Sequence, residues 1–67
     1  MDMSTEIKVM LTRSGKTQIE LAEMLGTSQG NLGNKLKRNK WTVNEVEDIA
    51  DKLGFKMNIS FTEKAAE

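Results

Sequence analysis

The stretch TQIELAEMLGTSQGNLGNKLKR, from Thr17 to Arg38, decides the fold. Thr17 followed by Glu20 at the third position is a capping-box pair that opens a helix, and Leu21, Ala22 and Leu25 form its apolar stripe until Gly26 stops it. Thr27 and Ser28 make the turn and the next N-cap. Leu32 and Leu36 then stand one helical turn apart on the inward face of a second helix. Two short helices meeting at a tight turn need a small residue where one packs across the other, and a residue tolerant of positive φ at the turn. Ala22 and Gly26 meet these needs, so the spacing predicts a helix-turn-helix over 18–25 and 29–38.

Helical periodicity continues on both sides. Upstream, Ile7, Met10 and Leu11 follow an i, i+3, i+4 spacing after the polar Ser4 and Thr5, and Gly15 ends a helix expected over 5–14. Downstream, Thr42 and Glu45 form another capping box, with Trp41 placed to pack on Val46 as a hydrophobic staple. Val43, Val46, Ile49, Ala50 and Leu53 carry one apolar stripe to Gly54, which predicts a helix over 43–53. The period then changes to two: Phe55, Met57, Ile59 and Phe61 alternate with Lys56, Asn58, Ser60 and Thr62, the pattern of a half-buried strand over 55–61. The expected fold class is mainly α, four helices followed by one C-terminal β-strand. Residues 1–67 form a single domain, with 63–67 as a frayed tail. Linkers, internal repeats and low-complexity segments are not evident.

A chain of 67 residues buries only about 60% of the surface its unfolded form exposes, so its core is marginal. Without Cys or His, disulfides and the usual metal sites cannot supplement that core, which leaves association as the expected source of extra stability. The same absence gives acid–base and nucleophilic chemistry little to use, so neither enzymatic activity nor a cofactor is expected. Glu45, Glu47, Asp48 and Asp51 alternate around their helix without a ligand loop and are expected to be a solvated face, not a metal site. Gly30-x-x-Gly33-Asn34-Lys35 lacks the spacing and the following hydroxyl residue of a phosphate-binding loop. No apolar run approaches a membrane span and no signal-like segment opens the chain, so a cytoplasmic location is expected.

Net charge is zero, but the charges are segregated. From Met24 to Asn44 there is no acid, while Lys35, Lys37, Arg38 and Lys40 all fall there. One basic surface on a neutral molecule is the electrostatic footprint of a small DNA binder.

Thr17-Gln18-x-x-Leu21-Ala22-x-x-Leu25-Gly26-x-Ser28-Gln29, running on through Asn31-Leu32-x-Asn34-Lys35-Leu36-Lys37-Arg38 into Ile49-Ala50-x-x-Leu53-Gly54, resembles the phage Cro and repressor helix-turn-helix proteins, the XRE family. The resemblance covers roughly residues 5 to 54 and includes the eleven-residue spacing of Gln18 and Gln29. It implies a lambda-repressor-like domain whose third helix enters the major groove of double-stranded DNA with its N-terminal residues toward the bases. Gln29 then leads base reading, since its amide matches the N7/N6 edge of adenine, and Gln18 takes the position that contacts phosphate and buttresses it. Asn31 and Asn34 share the exposed face, and Asn34 matches a position that often touches bases. Lys35, Lys37, Arg38 and Lys40 are cast as phosphate contacts, with Thr17 and Ser28 at the helix starts that face the backbone. The chain departs from the family at Gly30 and Gly33 inside the recognition helix, at Lys35 where relatives keep an apolar core residue, and in a strand where relatives often have a fifth helix.

A lone strand leaves its backbone groups unpaired, so Phe55, Met57, Ile59 and Phe61 are expected to form a homodimer interface in which 55–62 pairs with its copy. The other possibility is that the segment covers the chain's own core, paired with N-terminal residues. The function these features imply is a sequence-specific transcriptional regulator, a repressor of the phage or mobile-element type, that binds a palindromic operator as a dimer and has no small-molecule ligand or membrane partner. The alternative is an antitoxin-like or adaptor module that keeps the helix-turn-helix framework but meets another protein.

Overall fold

The computed structural model describes residues 2–65 as four helices in the order α1 (Met3–Ser14), α2 (Gln18–Leu25), α3 (Gln29–Arg38) and α4 (Val43–Lys52). The start of α1 differs from the sequence expectation, because its N-cap is Asp2 and not Ser4 or Thr5. The Asp2 carboxylate accepts the Ser4 N–H at 3.1 Å, which satisfies an amide that a helix start otherwise leaves open. Ser4 is thereby drawn inside the helix and buried. Both capping boxes form as the sequence predicts, Thr17 with Glu20 and Thr42 with Glu45.

Three helices end in one way. A glycine with positive φ follows each of α1 and α2, at Gly15 and Gly26, and Gly54 follows the cap residue of α4. At the last of these the Gly54 N–H donates to the Asp51 carbonyl at 3.1 Å and the Phe55 N–H to the Ala50 carbonyl at 2.7 Å, the paired bonds of a Schellman stop. α3 ends on a residue the glycine pattern passes over: Asn39, in the left-handed region at φ 54°. Asparagine is one of the few non-glycine residues that adopt that region readily.

The core forms where the inward stripes of all four helices meet. Ile7, Leu21 and Ile49 are fully enclosed, with Leu11, Ala22, Leu32, Leu36 and Leu53 around them. Leu36 anchors the end of α3, as expected with lysine at position 35. Val43, expected in the α4 stripe, is 59% exposed. It stands at the first helical position, on the rim of an open groove lined also by Met3, Met10, Val46, Met57 and Ile59, where no side chain closes over it.

The expected strand over 55–61 does not form. Among the described residues there is no strand, and 55–65 continues without regular structure. A strand needs a ladder partner for its amides and carbonyls, and residues 2–65 supply none. The pairing with N-terminal residues is likewise not seen, since those residues are the first turn of α1. Phe55, expected at a dimer interface, packs against the chain's own core, with the Arg13 guanidinium 5.8 Å above its ring. Met57 is half-buried, whereas Ile59 and Phe61 lie open, Phe61 at 94% exposure. Residues 63–65 of the expected frayed tail are exposed, and the rest of it, 66–67, lies outside the described residues. No described helix is long and apolar enough to cross a membrane.

Candidate nucleic-acid interface

α2 and α3 pack against each other, and that packing sets what α3 presents. Leu32 and Leu36 turn inward. On a helix, residues three and four apart share a face, so Asn31, Asn34 and Arg38 line the side opposite these leucines, with Gly30 and Lys37 beside them. All five are exposed. Gln29, also exposed, lies toward the α2 edge, and Lys35 lies on the α4 edge.

The start of α3 is electropositive by construction. Ser28 caps it, its hydroxyl accepting the Asn31 N–H at 3.1 Å, and no acid stands in the first turn. The Gln29 and Gly30 N–H groups are left as open donors at the positive end of the helix. Thr17 caps α2 through its hydroxyl, which accepts the Glu20 N–H at 3.1 Å, while the Glu20 carboxylate accepts the Thr17 N–H at 3.0 Å. That backbone donation holds the Glu20 carboxyl below its ordinary pKa. Thr17 and its neighbour Gln18 thus sit at a second capped helix start.

Gln18 is half-buried, and its amide nitrogen lies against Gly33: a methyl group at position 33 would sit 3.4 Å from it. That is ordinary contact with the end of a flexible side chain, so packing does not require Gly33. At position 30 an added methyl would meet nothing closer than the Ser28 hydroxyl at 4.0 Å, so packing does not require Gly30.

No family model, no curated protein and no solved structure matches this chain. The site therefore rests on its own geometry.

Of the four cations in the acid-free stretch, Lys37, Arg38 and Lys40 are exposed at and just beyond the end of α3. Lys35 differs from the expectation of a free phosphate contact. Its ammonium forms an ion pair with the Glu45 carboxylate of α4 and stands 5.4 Å from the centre of the Trp41 ring. The lysine is the main cause holding the Glu45 carboxyl below its ordinary pKa, and the Thr42 backbone N–H adds to it. Ten residues separate Lys35 from Glu45, a spacing with no local signature, so only the tertiary fold brings them together.

Sequence reasoning also misses what fixes the far end of α3. The buried Ser4 hydroxyl donates to the Leu36 carbonyl at 2.7 Å and accepts the Trp41 indole N–H at 3.1 Å. The Ser4 N–H, shared with Asp2, donates to the Asn39 side-chain carbonyl at 2.9 Å. One serine thus ties the start of α1 to the end of α3 and to the loop leading into α4. Among the described residues every buried side-chain nitrogen or oxygen has a partner. The one signal for this network in the sequence is a serine followed by a helical stripe, which reads equally well as a cap.

Proposed function

We propose that this chain is a sequence-specific DNA-binding transcriptional regulator, a repressor of the phage or mobile-element type, that inserts α3 into the major groove of a palindromic operator. The observation that carries this reading is the outer face of α3: carboxamides at its N-terminal end, cations at its C-terminal end, no acid, and a rigid attachment beneath. Carboxamides match base edges, and the cations match phosphates, which fix register and supply salt-dependent affinity. Gln29, Asn31 and Asn34 are the base readers in this scheme. Lys37, Arg38 and Lys40, with the helix starts at Thr17 and Ser28, hold the backbone.

A reader of one short helix needs a second copy to specify a long enough site, and twofold dimers place two such helices about one DNA turn apart. Exposed Ile59 lines one groove with Val43 and the half-buried Met57, and Phe61 stands open two residues further on, apolar surface suited to a second copy. In that dimer the segments after Phe55 gain from each other the ladder partner each lacks alone. The same apolar surface is what favours the second reading, an antitoxin-like or adaptor module with a different protein in that place.

Binding to duplexes recovered from a random pool, measured across salt concentrations, tests the proposal. Gln29→Ala is expected to cost about 1–3 kcal/mol and relax one base position, whereas Lys37→Ala weakens all sequences alike. No preference over random DNA together with a salt slope near zero leaves the protein-interaction reading in its place.

A further inference from the structure

Before Lys35, the outward side chains of α3 that can hydrogen-bond are Gln29, Asn31 and Asn34, since Gly30 and Gly33 have none and Leu32 is buried. Lys35, the first cation along the helix, lies one turn beyond Asn31 on the same flank. Its ammonium is held from two sides, by the Glu45 carboxylate and by the Trp41 ring. Both holders are themselves fixed. The second Glu45 oxygen accepts the Thr42 N–H at 2.9 Å, and the indole donates to the buried Ser4. Asn31 is also partly committed, its amide nitrogen donating one hydrogen to the Thr27 hydroxyl at 3.4 Å, which leaves its amide oxygen and its second N–H facing outward.

Major-groove chemistry separates the bases that such a surface can read. Guanine presents O6 and N7, two acceptors that match the paired donors of arginine or lysine. Adenine presents N7 and N6, an acceptor and a donor that match a carboxamide. We infer that Glu45 withholds Lys35 from DNA, so that the base-reading half of α3 is a carboxamide surface that takes adenine opposite Gln29 and Asn34. The inference rests on the DNA-reading proposal above. It makes Glu45 a positioning residue, acting on the DNA surface through the lysine it holds.

The test uses the full chain as wild type, Lys35→Ala, Glu45→Gln and the double variant. Each is carried through selection from a random duplex pool and through salt titration on the recovered duplex, with circular dichroism melts to confirm folding. Glutamine at 45 keeps an oxygen for the Thr42 N–H but removes the charge that holds the lysine. Adenine is expected at the positions that Gln29→Ala and Asn34→Ala relax, and replacing those adenines with 7-deazaadenine is expected to weaken binding on the order of tenfold. Lys35→Ala is expected to leave base preference and salt slope unchanged. Glu45→Gln is expected to steepen the slope by about 0.9, the increment of one additional phosphate contact, and the double variant to restore it.

Guanine at the positions relaxed by Gln29→Ala and Asn34→Ala overturns the inference. So does a shallower slope in Lys35→Ala, or a slope that Glu45→Gln leaves unchanged. Where Glu45→Gln fails to fold, Lys35→Ala and the 7-deazaadenine duplexes still decide. Salt-dependent binding with no enriched sequence overturns this inference and leaves DNA binding standing. Absence of salt-dependent binding to any duplex overturns the DNA-reading proposal with it.

Discussion

Gly30 and Gly33 stand three residues apart in α3, and each costs about 1 kcal/mol relative to alanine in a helix interior. A methyl group at Gly33 would make ordinary contact with the Gln18 amide nitrogen at 3.4 Å. Gly30 has still more open space around it, faces outward, and has ordinary helical φ. Gly30→Ala is therefore expected to stabilise the fold by about 0.5–1 kcal/mol in urea denaturation, partly by restricting the unfolded chain. A variant that gains stability but loses affinity for the selected duplex marks Gly30 as kept for close approach of DNA. A loss of stability contradicts the open environment at this position.

The helix starts make stability depend on pH. In both capping boxes the carboxylate accepts the N-cap amide, and Glu45 also holds Lys35, so Glu20 and Glu45 both ionise below the ordinary glutamate range in the folded state. On unfolding they return to that range, so the unfolded chain binds more protons as pH falls. The contribution is present above the unfolded pKa, near 4.3, and is lost as pH drops through the lower folded values. The melting temperature is thus expected to be level above about pH 5.5 and to fall below about pH 4.5. The Glu20→Gln, Glu45→Gln double variant is expected to have a lower plateau and a shallower fall. An equal fall in wild type and variant places the pH dependence elsewhere in the molecule.

At the scale of the whole molecule, the C-terminal segment divides between two tasks. The Schellman stop at Gly54 turns the chain so that Phe55 lands on the core beneath Arg13, while Ile59 and Phe61 extend into solvent. Cutting after Phe55 is therefore expected to leave the fold close to its original stability and, in the proposed dimer, to abolish self-association in sedimentation. Cutting after Gly54 is expected to remove the same association and to lower stability by a further 1–3 kcal/mol, roughly the value of burying an aromatic side chain partway. A dimer that survives both cuts places its interface outside this segment.

The four helices were legible in the sequence because their determinants are local. Thr17 and Glu20, or Thr42 and Glu45, meet across three residues, glycine tolerates positive φ wherever it stands, and an i, i+3, i+4 stripe shows which face is buried. The exposure of Gln29, Asn31 and Asn34 followed from the same periodicity. Tertiary structure decided what depends on partners distant along the chain. Ser4 became a buried hub and not a cap, Asn39 closed α3, Lys35 was taken by Glu45, and Phe55 joined the core while the strand period after it stayed unpaired. A hydrogen bond or ion pair between residues ten to thirty-seven positions apart leaves no pattern in the intervening sequence, because it exists only once the helices have packed.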